Sequence, residues 1–380
     1  MQPHQIRSVP ERNIIMDKAI EYAVKTVEKS LDYFYDCFPT EQSRDLVFGK
    51  FENVSWTPGF YAGLLWLTYE LTGSEAVLKS AKHHSRLFHE RLKTKTELEH
   101  HDMGFLFSLS SMADYTVTGD TEAMHDGLEA AGWLMKRYQL EGRFIQAWGA
   151  LDDPQAYRFI VDCLLNLPLL FRAHELTGEK WYYDAAYNHM CTAVKNIIRD
   201  DASTYHTFFF DKETNMPLRG ETHQGFSDDS CWSRGQAWAV YGLALCYHYT
   251  KDENIIPVFN RVTEYFIEHL PEDFVPYWDL CFGDGSGEPR DTSAAAIAVC
   301  GILEMEKYYP NARFKDAAER MVRSLSDKYT TADRPESNGI LKDGMYSRKH
   351  GHEPECTSWG DYFYLEALMR MKNRDWKMYW

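Results

Sequence analysis

The sequence predicts an all-α chain folded as an (α/α)6 barrel, with long loops gathered at one active-site mouth. Three observations carry this. Stretches of helical period that are apolar nearly all round alternate with amphipathic ones, six times over. Strand signals are nearly absent, apart from short stretches near 205–210 and 339–346. The apolar stretches begin near 56, 102, 162, 232, 291 and 359, too irregularly for the even repeats of an open α-solenoid, so closure into a ring is the economical arrangement.

The first amphipathic stretch lies near 14–36, where Ile20, Ala23, Val24, Val27, Leu31 and Phe34 share one face. Five more lie near 74–92, 121–139, 179–199, 252–270 and 312–329, each with charged residues opposite an apolar stripe. These read as outer helices with one wet face. The apolar stretches 56–73, 102–120, 162–179, 232–252, 291–309 and 359–371 read as inner helices. Thr72-Gly73, Thr118-Gly119 and Thr177-Gly178 suit helix stops with glycine in the left-handed conformation. The whole chain, 1–380, reads as a single catalytic domain.

Aromatics form 15% of the residues, enough for a large core with some left to face flat ligands such as sugar rings. The net charge of -16, without a basic stripe, argues against nucleic acid and anionic membranes as partners. It also demands a local cationic pocket for any anionic sugar. Eight cysteines without a CxxC pair read as mostly buried free thiols of a reducing compartment. The start, Met1-Gln2-Pro3-His4-Gln5, lacks a secretion pattern, so the expected location is the cytoplasm, or the periplasm had a leader been removed.

If the inner helices run one way, their N-termini meet at one mouth. Trp56, Asp102, Asp162, Trp232, Arg234, Asp291 and Trp359 sit at or beside those starts, and loops 140–160, 201–231, 273–290 and 331–358 open there. Helix N-termini favour a bound carboxylate or sulfate. Asp102 and Asp162 stand out. Each could be a simple helix cap. On adjacent inner helices of a ring they could also face one another across a pocket, as paired carboxylates do in glycoside chemistry. No cofactor or metal is expected: Gly283-Asp284-Gly285-Ser286-Gly287 lacks a Walker lysine, and His83-His84, His100-His101 and His350-Gly351-His352 lack the spacing of a zinc site.

Five segments in order resemble glycoside hydrolase family 88, the unsaturated glucuronyl hydrolases. They are His101-Asp102-Met103-Gly104-Phe105-Leu106; Asp162-Cys163-Leu164-Leu165-Asn166-Leu167-Pro168; His223-Gln224-Gly225 through Trp232-Ser233-Arg234-Gly235-Gln236-Ala237-Trp238; Pro276-Tyr277-Trp278-Asp279 with Arg290-Asp291-Thr292-Ser293-Ala294-Ala295; and Asp361-Tyr362-Phe363-Tyr364-Leu365-Glu366-Ala367-Leu368. The resemblance implies that Asp162 is the general acid/base and Asp102 the second essential carboxylate. It implies that His206, Gln224, Arg234 and Trp238 bind or orient the sugar, and that Trp56 and Trp148 stack near it. Trp232, at the same mouth, is expected to line the pocket. Arg234 is expected to be one of few cations there, helped by Arg348 or Lys349.

The implied substrate is a small oligosaccharide left by a polysaccharide lyase, with a C4=C5 double bond in its terminal uronic acid. In the family's proposed route, protonation at C4 and hydration at C5 give a hemiketal that opens, and the glycosidic bond breaks; covalent and epoxide intermediates are alternatives. A monomer or weak homo-oligomer is expected. Rival readings are an unsaturated rhamnogalacturonyl hydrolase, a sugar epimerase on the same ring and a non-catalytic helical scaffold. Epimerases would rely on histidine pairs, whereas these inner-helix starts carry aspartates.

Overall fold

The computed structural model describes residues 9–380. The start, Met1 to Gln5, lies outside the described residues. Helices account for 54% of the chain, and the largest sheet among the described residues has three strands.

In chain order the helices are α1 (Val9–Ser30), α2 (Pro58–Thr72), α3 (Glu75–Thr94), α4 (Met103–Phe107), α5 (Ala113–Thr118), α6 (Thr121–Met135) and α7 (Leu167–Thr177). There follow α8 (Lys180–Asn196), α9 (Ser233–Thr250), α10 (Ile255–Glu268), α11 (Thr292–Met305), α12 (Ala312–Lys328) and α13 (Ser358–Lys372). The inner ring runs α2, α4 with α5, α7, α9, α11, α13. Each packs on the next, and α13 packs back on α2, which closes the ring. The outer helices α1, α3, α6, α8, α10 and α12 cover it. This is the (α/α)6 barrel that the sequence predicts, not a solenoid.

The patterning explains the layers. Every residue of α11 except Leu303 is buried, whereas α12 buries only Phe314, Ala317, Ala318, Met321, Val322 and Leu325, one stripe at helical spacing. Gly73, Gly119 and Gly178 end their helices with φ of 66°, 77° and 75°, as the Thr-Gly steps predict.

Several features depart from the sequence reading. The second inner helix is interrupted by a π-helical turn, Ser108–Met112. Asp162 lies in a 3-10 turn, Val161–Leu165, ahead of α7. A three-stranded antiparallel sheet joins 158–160, 207–210 and 217–221, of which only the middle strand was expected. The stretch 339–346 forms no strand; Leu341 and Gly344 make single bridges to Thr330 and Glu355. Residues 373–380 carry no helix signal, yet Trp376, Met378, Tyr379 and Trp380 are buried. Trp380 stacks on Phe363 (ring centroids 5.9 Å apart) and donates its indole N–H to Glu366 at 2.9 Å, closing the barrel end away from the mouth. The eight cysteines are unpaired, five of them buried.

Candidate active site

Two close approaches place the carboxylates. A Cβ on Gly104 would lie 2.4 Å from Cα of Asn166, so glycine alone lets α4 touch the turn that carries Asp162. The contact is then pinned by the N–H of Phe105 donating to Asn166 Oδ1 at 2.9 Å. From the other side, the sheet pairs Ile160 with Thr207, and Val161 N–H donates to the carbonyl of His206 at 3.0 Å. The sheet thereby sets His206 beside Asp162.

Asp102 precedes α4 and Asp162 lies in the next turn of the ring. Their side chains are 14% and 15% exposed. Neither carboxylate caps its helix. Instead Nε2 of His101, Oδ1 of Asp102 and Oδ1 of Asp162 cluster, with a carboxylate oxygen of each Asp within 4.8 Å of the other's.

The two acids differ in environment. Burial pushes Asp162 well above the usual carboxylate range, and the nearby Asp102 charge adds to it. Its Oδ1 is buried with no hydrogen-bond partner, as suits a group that keeps its proton. Burial opposes the Asp102 charge as well, but His101, His100 and Arg91 outweigh it and hold Asp102 below its ordinary value. His100 Nδ1 lies 3.1 Å from Asp102 Oδ2. The surroundings thus push the two carboxyl groups in opposite directions, Asp162 towards keeping its proton and Asp102 towards losing it, the division of labour that acid catalysis uses.

The other predicted residues fall into two layers. At the open level lie the partly buried Trp148, Trp56 and Gln224; His206 is buried. Arg158 sits over the Trp148 ring at 4.6 Å, with His101 and His223 beside it. Trp56 is half-buried, stacks on Trp359 at 5.1 Å and faces the Tyr346 hydroxyl at 3.4 Å. His206 Nδ1 accepts the N–H groups of His223 and Gln224, each at 3.1 Å, so its proton sits on Nε2. Burial keeps His206 neutral, well below the usual histidine range.

Beneath lie Trp232, Arg234 and Trp238. Trp232 is 5% exposed and packs at a tilt against His206, ring centroids 4.4 Å apart. Trp238, 1% exposed, packs against Phe105 and Phe363 as floor rather than wall. Arg234, expected as one of few cations at the mouth, is buried and already paired. Its side chain is 1% exposed, lies 2.6 Å from Asp291 Oδ2, and is held between the rings of Trp232 and Trp359. It also donates to the carbonyls of Met345 and Tyr346 and to Gln224 Oε1. The cations nearer the opening are Arg158 and Lys349, with His223 and His350 in ring contact at 4.7 Å. Arg348 is paired with Glu353.

The sequence reading missed His101. The spacing of His100-His101 argues only against a zinc site; the two residues precede the helix, and both reach Asp102 from the loop.

The chain is similar to known proteins over nearly its whole length. Residues 26–375 match the model of Glycosyl Hydrolase Family 88. The chain is 47% identical over 369 residues to an unsaturated chondroitin disaccharide hydrolase of Streptococcus pneumoniae, covering 96% of this chain and 93% of that one. It superposes on the crystal structure of an unsaturated glucuronyl hydrolase from Streptococcus agalactiae with a TM-score of 0.95, at 43% identity and full coverage of both chains. An Asp-to-Asn variant of an S. agalactiae unsaturated glucuronyl hydrolase, solved with dGlcA-GalNAc6S bound, matches with a TM-score of 0.86 at 40% identity, again over the whole of both chains. The barrel, the ordered motifs and these matches lead to one conclusion: the chain belongs to glycosyl hydrolase family 88.

Proposed function

We propose that this hydrolase removes the non-reducing terminal 4,5-unsaturated uronic acid from lyase-generated oligosaccharides, working as one domain. The observation that carries the reading is the pair of carboxyl groups clustered within 4.8 Å at the mouth, in surroundings that push them in opposite directions. Asp162 donates its proton to C4 of the enol ether. The positive charge that develops at C5 is spread onto the ring oxygen. Water adds at C5 and returns a proton to the Asp162 carboxylate, so the enzyme ends as it began. The hemiketal opens and the glycosidic bond breaks without a further enzyme group. Asp102 stays ionised, keeps Asp162 protonated and accepts sugar hydroxyls.

Arg158 and Lys349 supply the local positive charge that an anionic sugar needs on a chain of net charge -16, with His223 and His350 beside them. Trp148 and Trp56 offer ring faces beside them, and His206 offers its Nε2–H. Glycosaminoglycan disaccharides are the favoured substrates, since the S. pneumoniae relative is named for chondroitin disaccharides and the S. agalactiae complex holds dGlcA-GalNAc6S.

Hydration of the conjugated double bond abolishes its ultraviolet absorbance. Incubation with lyase-made disaccharides from chondroitin, hyaluronan, heparin and rhamnogalacturonan tests both reaction and preference. Absorbance that never decays with any of them refutes the proposal, and decay with rhamnogalacturonan fragments alone refutes the substrate class.

A further inference from the structure

His101 is buried against two carboxylates with its other nitrogen facing nothing. Its side chain is 1% exposed. Nδ1 is buried and has no hydrogen-bond partner. Nε2 lies 3.3 Å from Asp102 Oδ1 and 3.9 Å from Asp162 Oδ1. The backbone holds the ring in place, because the His101 N–H donates to the carbonyl of Ala147 at 3.1 Å.

A neutral imidazole has one N–H and one lone pair. A proton on Nδ1 would bury a donor with no acceptor and aim a lone pair at the Asp102 charge, two costs at once. A proton on Nε2 satisfies Asp102 and leaves only a weak acceptor orphaned. The same reasoning separates this arrangement from a metal site, although the three ligand atoms lie within 4.8 Å of one another. A metal on Nε2 would force the proton onto Nδ1, and a ligating histidine ordinarily donates that second N–H to a partner. Nδ1 has none.

We infer that His101 is a positioning residue: a neutral imidazole whose Nε2–H holds the Asp102 carboxylate and stabilises the Asp162 carboxylate once that group has given up its proton. The inference rests on Asp162 acting as the general acid. When its O–H bond breaks and the C4–H bond forms, two anions face each other within the cluster. The Nε2–H then lies between them. His101 itself gains and loses no proton, and the proton that Asp162 loses is restored from the water that adds to C5.

The surroundings keep the ring neutral. Burial lowers His101 to about 4, and His100, Arg137 and Arg158 oppose a second proton, against the pull of Asp102. Arg91 acts on Asp102 from one side and Arg234 on Asp162 from the other. The buried His189 and His206 are likewise held neutral by burial.

His101→Gln places an amide N–H near the position of Nε2. His101→Phe keeps the ring and removes the donor, and His101→Leu repeats the test with a smaller side chain should Phe not fold. The Gln variant is expected to stay within about tenfold of the parent kcat, and the donor-free variant to lose about a hundredfold with little change in KM. Without the donor, both carboxylates hold protons more tightly, so both limbs of the kcat–pH profile should move to higher pH. A donor-free variant with the parent kcat and pH limbs overturns the inference. So does an equal loss in Gln and Phe variants with unmoved limbs, which is the behaviour of a packing residue. Asp162→Asn separates the two readings. If it stays active, the general-acid assignment fails; if it is inactive while His101→Phe is unimpaired, only the role of His101 fails.

Discussion

Arg234 and Asp291 form an ion pair at 2.6 Å with both side chains at most 1% exposed. Asp291 also caps α11 through the Ser293 N–H and accepts the Ser293 hydroxyl at 2.5 Å. Removing the arginine leaves a buried carboxylate unpaired, which typically costs about 3–5 kcal/mol. Arg234→Ala should therefore lower the melting temperature steeply, not simply raise KM. Replacing the pair with Met and Leu should recover much of the stability but not the activity, because Gln224 and the carbonyls of 345–346 lose their anchor. Thermal melts beside kinetics check this; an Arg234→Ala variant of parental stability contradicts it.

The carboxylates should separate in pH profiles. Asp162→Asn should lower kcat by about 10²–10⁴-fold and leave binding nearly intact. Asp102→Asn removes the negative charge that helps keep Asp162 protonated. The limb on which activity falls with rising pH, set by loss of the Asp162 proton, should then move to lower pH. A variant that loses stability but keeps kcat and that limb would mark Asp102 as merely structural.

Gly104→Ala should push α4 away from the Asp162 turn, since the added carbon would meet Asn166 Cα at 2.4 Å and Oδ1 at 2.7 Å. Overpacking of this kind typically costs about 1–3 kcal/mol. A shift of about 1 Å between catalytic groups can cost about a hundredfold in rate. The expected signature is a modest fall in melting temperature with a disproportionate fall in kcat.

Trp148→Ala should raise KM by about tenfold with a smaller change in kcat, since a lost stacking face weakens ground-state and transition-state binding alike. An unchanged KM would remove Trp148 from the sugar site.

The twelve-helix ring was legible because layers leave a local mark: α11 is apolar on every side and α12 on one. The two aspartates were legible for the same reason, at the starts of apolar runs. What the sequence hid is set by distant partners. Trp238 and Trp148 look alike in sequence, but one is floor and the other half-exposed wall. The charge of Arg234 is spent on Asp291, 57 residues away. The strand 217–221, written Pro217-Leu218-Arg219-Gly220-Glu221, lacks β-branched residues and exists through its pairing with 207–210.

The packing of Trp380 against Phe105, with ring centroids 6.1 Å apart, brings the far-end closure within one helical turn of Asp102. The barrel is therefore a cul-de-sac rather than a tunnel. A polysaccharide cannot be threaded through it, and only a chain tip can reach the carboxylates. Both products leave by the door through which the substrate came. An enzyme closed in this way is expected to release its saccharide after every cut and to trim single ends.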